Sequence, residues 1–239
     1  MKKIIHQIPN AITALNLLSG CLAVIAVLEG NLLLAALLVL IGIVFDFFDG
    51  FAARLLHVKS ELGKQLDSLA DMVTSGLVPG LVIYSLLNPQ KLKVYEVFNE
   101  VPWAFIGLLV PIGAAYRLAK FNIDSRQSNS FIGLPTPANA ILILSVPCMI
   151  AYPSIPGLEN VLLSPYFLGS LAVFCMLVMN LPLPLFSLKF DSFKWQGNQV
   201  RYLFISVSLL WIALWQFAGI ALVIVAYVLS GFVALKSSR

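Results

Sequence analysis

The chain has 239 residues, 60% of them hydrophobic and 11% charged, with a mean hydropathy of +0.94; soluble domains carry roughly a quarter charged residues, so a water-soluble globule, a disordered chain and a coiled coil are excluded. The 15 Lys and Arg against 11 Asp and Glu give a net charge of +4, but the basic residues form neither a block nor a stripe interleaved with aromatics, which argues against a nucleic-acid partner. Cys21, Cys148 and Cys175 lie far apart inside apolar runs and read as buried filler, neither a disulfide framework nor a metal site.

Apolar runs of about 20 residues, long enough to cross a bilayer as helices, recur along nearly the whole chain and break at charged or Pro, Gly and Asn clusters. The first covers about 9–29. Lys2 and Lys3 precede it, but Pro9 and Asn10 interrupt a signal-peptide pattern and no convincing cleavage site follows, so it is read as a retained helix. The second (31–52) and third (68–88) flank an acidic stretch, and the fourth (101–120) ends in Arg117 and Lys120. The fifth (135–151) opens on Pro135 and Pro137, tolerated in a first helical turn. The sixth spans 164–185; the seventh (200–216) and eighth (218–235) are separated only by Gln216–Gly219, so a seven-helix count stays open. The expected fold class is an all-α integral membrane protein, one membrane-embedded domain over 1–239 with a polytopic bundle of about eight transmembrane helices.

With the amino terminus inside, thirteen of the fifteen Lys and Arg residues fall on the cytoplasmic side and only Lys91 and Lys93 outside. That asymmetry predicts a multi-pass cell-membrane protein with both termini cytoplasmic. Trp103, Trp195, Trp211 and Trp215 near helix ends or in the last pair suit an interfacial aromatic belt.

Of the eleven acidic residues, four (Asp46, Asp49, Asp67 and Asp71) gather where the second helix ends and the third begins. Asp46 and Asp49 are three apart and Asp67 and Asp71 four apart, so each pair projects from one helical face, and antiparallel neighbours bring the pairs together. Clustered carboxylates at a membrane edge repel one another and resist burial unless cations neutralise them. All-oxygen ligation points to a hard divalent ion, Mg²⁺ or Mn²⁺, and four carboxylates suffice for two ions. Ordinary interfacial pairing with Arg54, Lys59 and Lys64 is the bland alternative for each Asp taken singly. His57 reads as a solvated loop histidine.

The spacing is more specific than the acids alone. Asp46-Phe-Phe-Asp49-Gly50-Phe-Ala-Ala53-Arg54, eight further residues to Gly63, then Asp67 and Asp71, resembles the signature D-x₂-D-G-x₂-A-R-x₈-G-x₃-D-x₃-D of the CDP-alcohol phosphatidyltransferases at every fixed position. The resemblance implies a six-helix catalytic core opening to the cytoplasm, a two-metal site, and transfer of a phosphatidyl group from a CDP-linked lipid to an alcohol with release of CMP. Carried over residue by residue, it makes Asp46, Asp49, Asp67 and Asp71 metal ligands, with Asp71 also the catalytic base for the attacking hydroxyl. It also makes Gly50 and Arg54 contacts of the CDP-lipid, Gly50 by leaving room at the backbone and Arg54 by its fork of donors. Ser60 and Gly63 in the same loop, and Asn10 and Thr13 in the amino-terminal element Pro9-Asn10-Ala-Ile-Thr13, complete the implied donor site. A homodimer is implied by the family alone.

Two further stretches, Ser68-Leu-Ala-Asp71-Met-Val-Thr-Ser-Gly76 and Arg117-Leu-Ala-Lys120-Phe121-Asn122 followed by Phe131-Ile-Gly133-Leu-Pro135-Thr-Pro137, resemble the serine-accepting bacterial branch of that family, with Lys120 where many members carry Arg. The implied substrates are CDP-diacylglycerol and L-serine, in a setting of membrane lipids, and Arg117 and Lys120 are the candidate cations for the acceptor carboxylate; helix anchoring by snorkelling is their alternative role. Glycerol 3-phosphate or inositol are the rival acceptors, the former calling for a denser basic pocket. A cation channel or transporter, which needs acids deep in several helices, is the rival of a different class.

Overall fold

The computed structural model describes residues 7–58, 60–123, 131–185, 195 and 198–237; Lys2, Lys3, Lys59, Arg126, Lys189 and Lys194 lie outside them. Helices α1 (Gln7–Leu28) and α2 (Leu32–Leu55) form a tightly packed antiparallel hairpin. Its turn is a left-handed cap at Gly30 (φ 80), where Gly30 N–H donates to Val27 O at 2.9 Å and Asn31 N–H to Ala26 O at 2.8 Å. The Asn31 side chain then caps α2, accepting from Leu34 N–H at 3.0 Å.

The third rod, α3 (Glu61–Leu87), begins well before the expected residue 68. Ser60 is its N-cap, accepting from Gly63 N–H at 3.0 Å, and its opening turns are too polar for an apolar run to reveal. At Met72–Leu77 the helix widens into a π turn that closes with Val78 N–H on Val73 O. Pro79 is the cause: in a regular helix its ring strikes the carbonyl four residues back, and one extra residue in the turn relieves the clash.

A short helix α4 (Val94–Glu100) leads into α5 (Pro102–Ile123), whose Pro102–Leu108 portion is a tight 3₁₀ turn. α3 and α5 cross backbone to backbone. A Cβ on Gly107 would lie 2.6 Å from Gly80 O, and one on Gly80 2.5 Å from Pro111 Cδ, the small-residue packing that membrane helices favour. Next come α6 (Thr136–Ala151), the short α7 (Leu158–Leu162) and α8 (Pro165–Asn180). The sixth expected helix therefore stops at Asn180, not at 185, because Pro182 and Pro184 withhold backbone donors. Strand β2 (Pro184–Leu185) instead pairs antiparallel with β1 (Phe131–Ile132), Phe131 opposite Leu185.

The last helical stretch, Gln199–Ser237, folds back on itself at Gln216 (φ 48, ψ −118). A Cβ on Gly219 would lie 2.2 Å from Trp211 O, whereas eight residues of straight helix span about 12 Å. It is therefore two helices, α9 (199–215) and α10 (217–237). Among the described residues, five helices are long and apolar enough to cross a membrane and two more are shorter apolar ones; with the last long one divided at Gln216, these residues form eight rods.

Two apolar clusters hold them. One is built from α3, α5, α6, α8 and α10 around Ile83, Leu134, Ile143 and Leu168; the other joins α1, α2, α3 and α6 around Ala23, Val39, Val82 and Ala140. The ends of the bundle differ in chemistry. At one end, with the four aspartates, Lys64 Nζ donates to Asn122 O at 2.5 Å, tying the start of α3 to the end of α5. At the other, Lys91 Nζ donates to Glu29 O at 3.3 Å.

Candidate metal centre and adjoining cavity

Asp46 and Asp49 ride on the last turns of α2, and Asp67 and Asp71 on the first turns of α3. Asp46, Asp49 and Asp67 each offer a carboxylate oxygen within 4.8 Å of the others. Asp67 Oδ1 is buried with no hydrogen-bond partner. Three carboxylates so close, one with an orphaned oxygen, fit a hard divalent cation, because oxygen ligands and a positive charge remove both the repulsion and the unsatisfied atom.

Asp71 stands apart from that trio. One turn further along α3 than Asp67, it is only 8% exposed, and its Oδ1 accepts from Asn16 Nδ2 at 3.3 Å. Asp49 is also held from α1, with Thr13 Oγ1 2.5 Å from its Oδ2. Thr13 Oγ1 also sits 3.0 Å from Pro9 O. A hydroxyl has one proton to give, and the shorter contact to the carboxylate takes it.

Beside the trio lies a cavity of ≈ 620 Å³ lined by Asn10, Thr13, Asp49, Gly50, Arg54, Ser60, Gly63 and Asp67, with Lys64 and Phe121. All six candidate CDP-lipid residues from the sequence thus face one space. A Cβ on Gly50 would meet only Arg54 Nη1, at 3.9 Å, so any side chain there would project into the cavity. Gly63 is confined differently: its Cβ would lie 3.0 Å from Ser60 Oγ and 3.1 Å from Asn10 Oδ1, so it serves the close approach of α1 to the α3 cap. Ser60 spends one lone pair on that cap.

Arg117 is buried on α5 at 8% exposure, with Nε unpaired, and its charge acts on Asp71. Lys120, one turn on, is half-buried and lines none of this cavity. The motifs assign no site role to Asn16, Lys64, Phe121 or Asn122, although Lys64 figures there as a pairing partner of the aspartates and Phe121 and Asn122 close the Arg117 stretch. Asn122 Nδ2 donates to Ser68 Oγ at 3.0 Å and Gln65 Oε1 at 3.3 Å, clasping α5 to the helix that carries Asp67. Asn16 had a signal: an amide in the middle of an apolar run, one helical turn after Thr13. Thr136 and Asn139, at the start of α6, are fully buried with unpaired side-chain atoms; Thr136 stands in the 131–137 stretch that resembles the serine-accepting branch.

Comparison with known proteins gives the same direction. Residues 6–186 match the family model described as CDP-alcohol phosphatidyltransferase. Among curated relatives, a CDP-diacylglycerol–serine O-phosphatidyltransferase of Helicobacter pylori (strain J99) is 30% identical over 226 residues, 92% of this chain and 89% of the relative. One of the same name from Bacillus subtilis (strain 168) is 37% identical over 132 residues, 55% of this chain and 70% of the relative. An archaetidylserine synthase of Methanothermobacter thermautotrophicus is 31% identical over 143 residues, 58% of this chain and 56% of the relative.

Proposed function

We propose that this chain, which belongs to the CDP-alcohol phosphatidyltransferase family, transfers the phosphatidyl group of CDP-diacylglycerol to the hydroxyl of L-serine and releases CMP. The observation that carries the reading is the juxtaposition of three carboxylates, oxygens within 4.8 Å, with a polar cavity lined by the six candidate donor residues. The names of the relatives in two bacteria and an archaeon support serine as the acceptor.

Asp46, Asp49 and Asp67 would hold Mg²⁺ or Mn²⁺, with Asp71 completing a two-ion set; bound metal supplies neutralisation of the pyrophosphate and of the charge growing on the leaving group. Asn10, Gly50, Arg54 and Ser60 bind the donor head, and Gly63 lets Asn10 and Ser60 come together beside it. Arg54 is exposed in the cavity and presents a fork of donors to the pyrophosphate, while Thr13 contributes through Asp49. The serine hydroxyl oxygen bonds to the phosphorus that carries diacylglycerol, and the bond from that phosphorus to the CMP oxygen breaks. The hydroxyl proton passes to Asp71, which burial and the Asn16 contact keep oriented. Arg117 and Lys120 receive the serine carboxylate. The aspartate end faces the cytoplasm, following the basic residues, and two copies associate in the membrane, with lipid tails along the helices.

The test is CMP release by purified protein with CDP-diacylglycerol and Mn²⁺ or Mg²⁺, adding L-serine, glycerol 3-phosphate or inositol singly, beside Asp71→Asn. Release that needs serine and metal and disappears in Asp71→Asn is expected. Release with another acceptor instead would overturn the choice of serine, and no release with any would overturn the transferase reading.

A further inference from the structure

We infer that Asn16 is a positioning residue for Asp71, held in place by a three-helix contact that admits no side chain on two glycines. The inference rests on the reading of Asp71 as the group that takes the acceptor proton. Asn16 is fully buried on α1, and its Nδ2 donates to Asp71 Oδ1 at 3.3 Å. A carboxylate only accepts, so the amide must turn its nitrogen toward Asp71. That orientation leaves Asn16 Oδ1 buried without a partner, a cost to the fold that an apolar residue of similar size would not carry.

The surroundings enforce the same orientation. Thr74, in the wide turn just past Asp71, donates from Oγ1 to Asn16 O at 3.2 Å. Thr74 fits only because Gly20 and Gly42 lack side chains. A Cβ on Gly20 would lie 2.4 Å from Thr74 Oγ1, and one on Gly42 2.6 Å from Thr74 Cγ2 and 2.8 Å from Asn16 Oδ1. Asn16 is thus fixed from α1, α2 and the wide turn at once, with its one side-chain hydrogen bond among the described residues spent on Asp71. With Thr13 on Asp49 three residues earlier, α1 addresses both acid-bearing helices from one face. Such partners, one step removed from the reacting groups, hold carboxylates in a single productive orientation.

The experiment compares Asn16→Leu, which removes the donor and keeps the same branching, and Asn16→Asp, which keeps the shape but replaces donor by acceptor, in detergent-purified full-length protein. For both, kcat for serine-dependent CMP release should fall roughly 10- to 100-fold, with KM for CDP-diacylglycerol within about twofold of wild type and the thermal transition of Asn16→Leu not lowered. Mn²⁺ affinity, read by electron paramagnetic resonance without substrate, gives a second readout: any loss from Asn16→Leu must vanish in an Asp71→Asn background. If Asn16→Leu does not fold, Asn16→Asp carries the comparison. A kcat within twofold of wild type, or an equal Mn²⁺ loss in both backgrounds, overturns the inference. Wild-type protein that releases no CMP would instead overturn the function itself.

Discussion

Thr13→Val separates two roles for the amino-terminal helix. The family pattern assigns Thr13 to the donor, whereas its hydroxyl lies 2.5 Å from Asp49 Oδ2 and it is only 3% exposed. Valine keeps the branched shape and removes the donor, leaving packing against α2 intact. A hydrogen bond to a charged group contributes about 1.5–3 kcal/mol, and 1.4 kcal/mol is about tenfold, so loss of Asp49 orientation should lower kcat about 10- to 100-fold. Because the hydroxyl is spent on Asp49, KM for CDP-diacylglycerol should change by less than about twofold; Thr13→Ser, which restores the hydroxyl, should recover most of the rate. The assay is initial-rate CMP release over a matrix of donor and serine concentrations at saturating Mn²⁺. A raised donor KM with kcat intact would refute the assignment to Asp49 and return Thr13 to direct donor binding.

Other substitutions probe the cavity and the scaffold separately. Gly50→Val should raise the CDP-diacylglycerol KM at least about tenfold without lowering the thermal transition, since a Cβ there meets nothing nearer than 3.9 Å; a lowered transition with donor KM unchanged would show that the position is structural. Gly80→Ala is the converse: its Cβ would lie 2.5 Å from Pro111 Cδ and 2.8 Å from Gly107 O, and overpacking of this kind costs about 1–3 kcal/mol. Thermal unfolding in detergent should show the drop, and an unchanged transition would mean that α3 and α5 are free to separate. Chelation with EDTA should abolish CMP release and added Mn²⁺ or Mg²⁺ restore it; turnover that persists in chelator would contradict a carboxylate-held metal.

Much of this protein is written locally. A bilayer demands about 20 apolar residues per span, so the rods were legible as runs, and the carboxylate cluster was legible because Asp46, Asp49, Asp67 and Asp71 sit at helical spacings on two consecutive helices. Even the reversal at Gln216 fell where a short polar break interrupts the last apolar stretch. Features set by side-chain capping or by proline sterics were not legible as hydropathy: the early start of α3 at Glu61 depends on the Ser60 cap, and the end of α8 at Asn180 on two prolines that then support a strand pair. Only the tertiary structure decided how the site divides. Asp67 and Asp71 share a helical face, yet Asp67 brings an oxygen within 4.8 Å of the α2 carboxylates while Asp71, outside that group, takes a hydrogen bond from Asn16. The Asn16 contact depends on how closely α1, α2 and the wide turn approach at Gly20 and Gly42. Spacing along a helix specifies the face a residue occupies, whereas the partner it meets there depends on the distance and rotation of neighbouring helices, which no single stretch of sequence encodes.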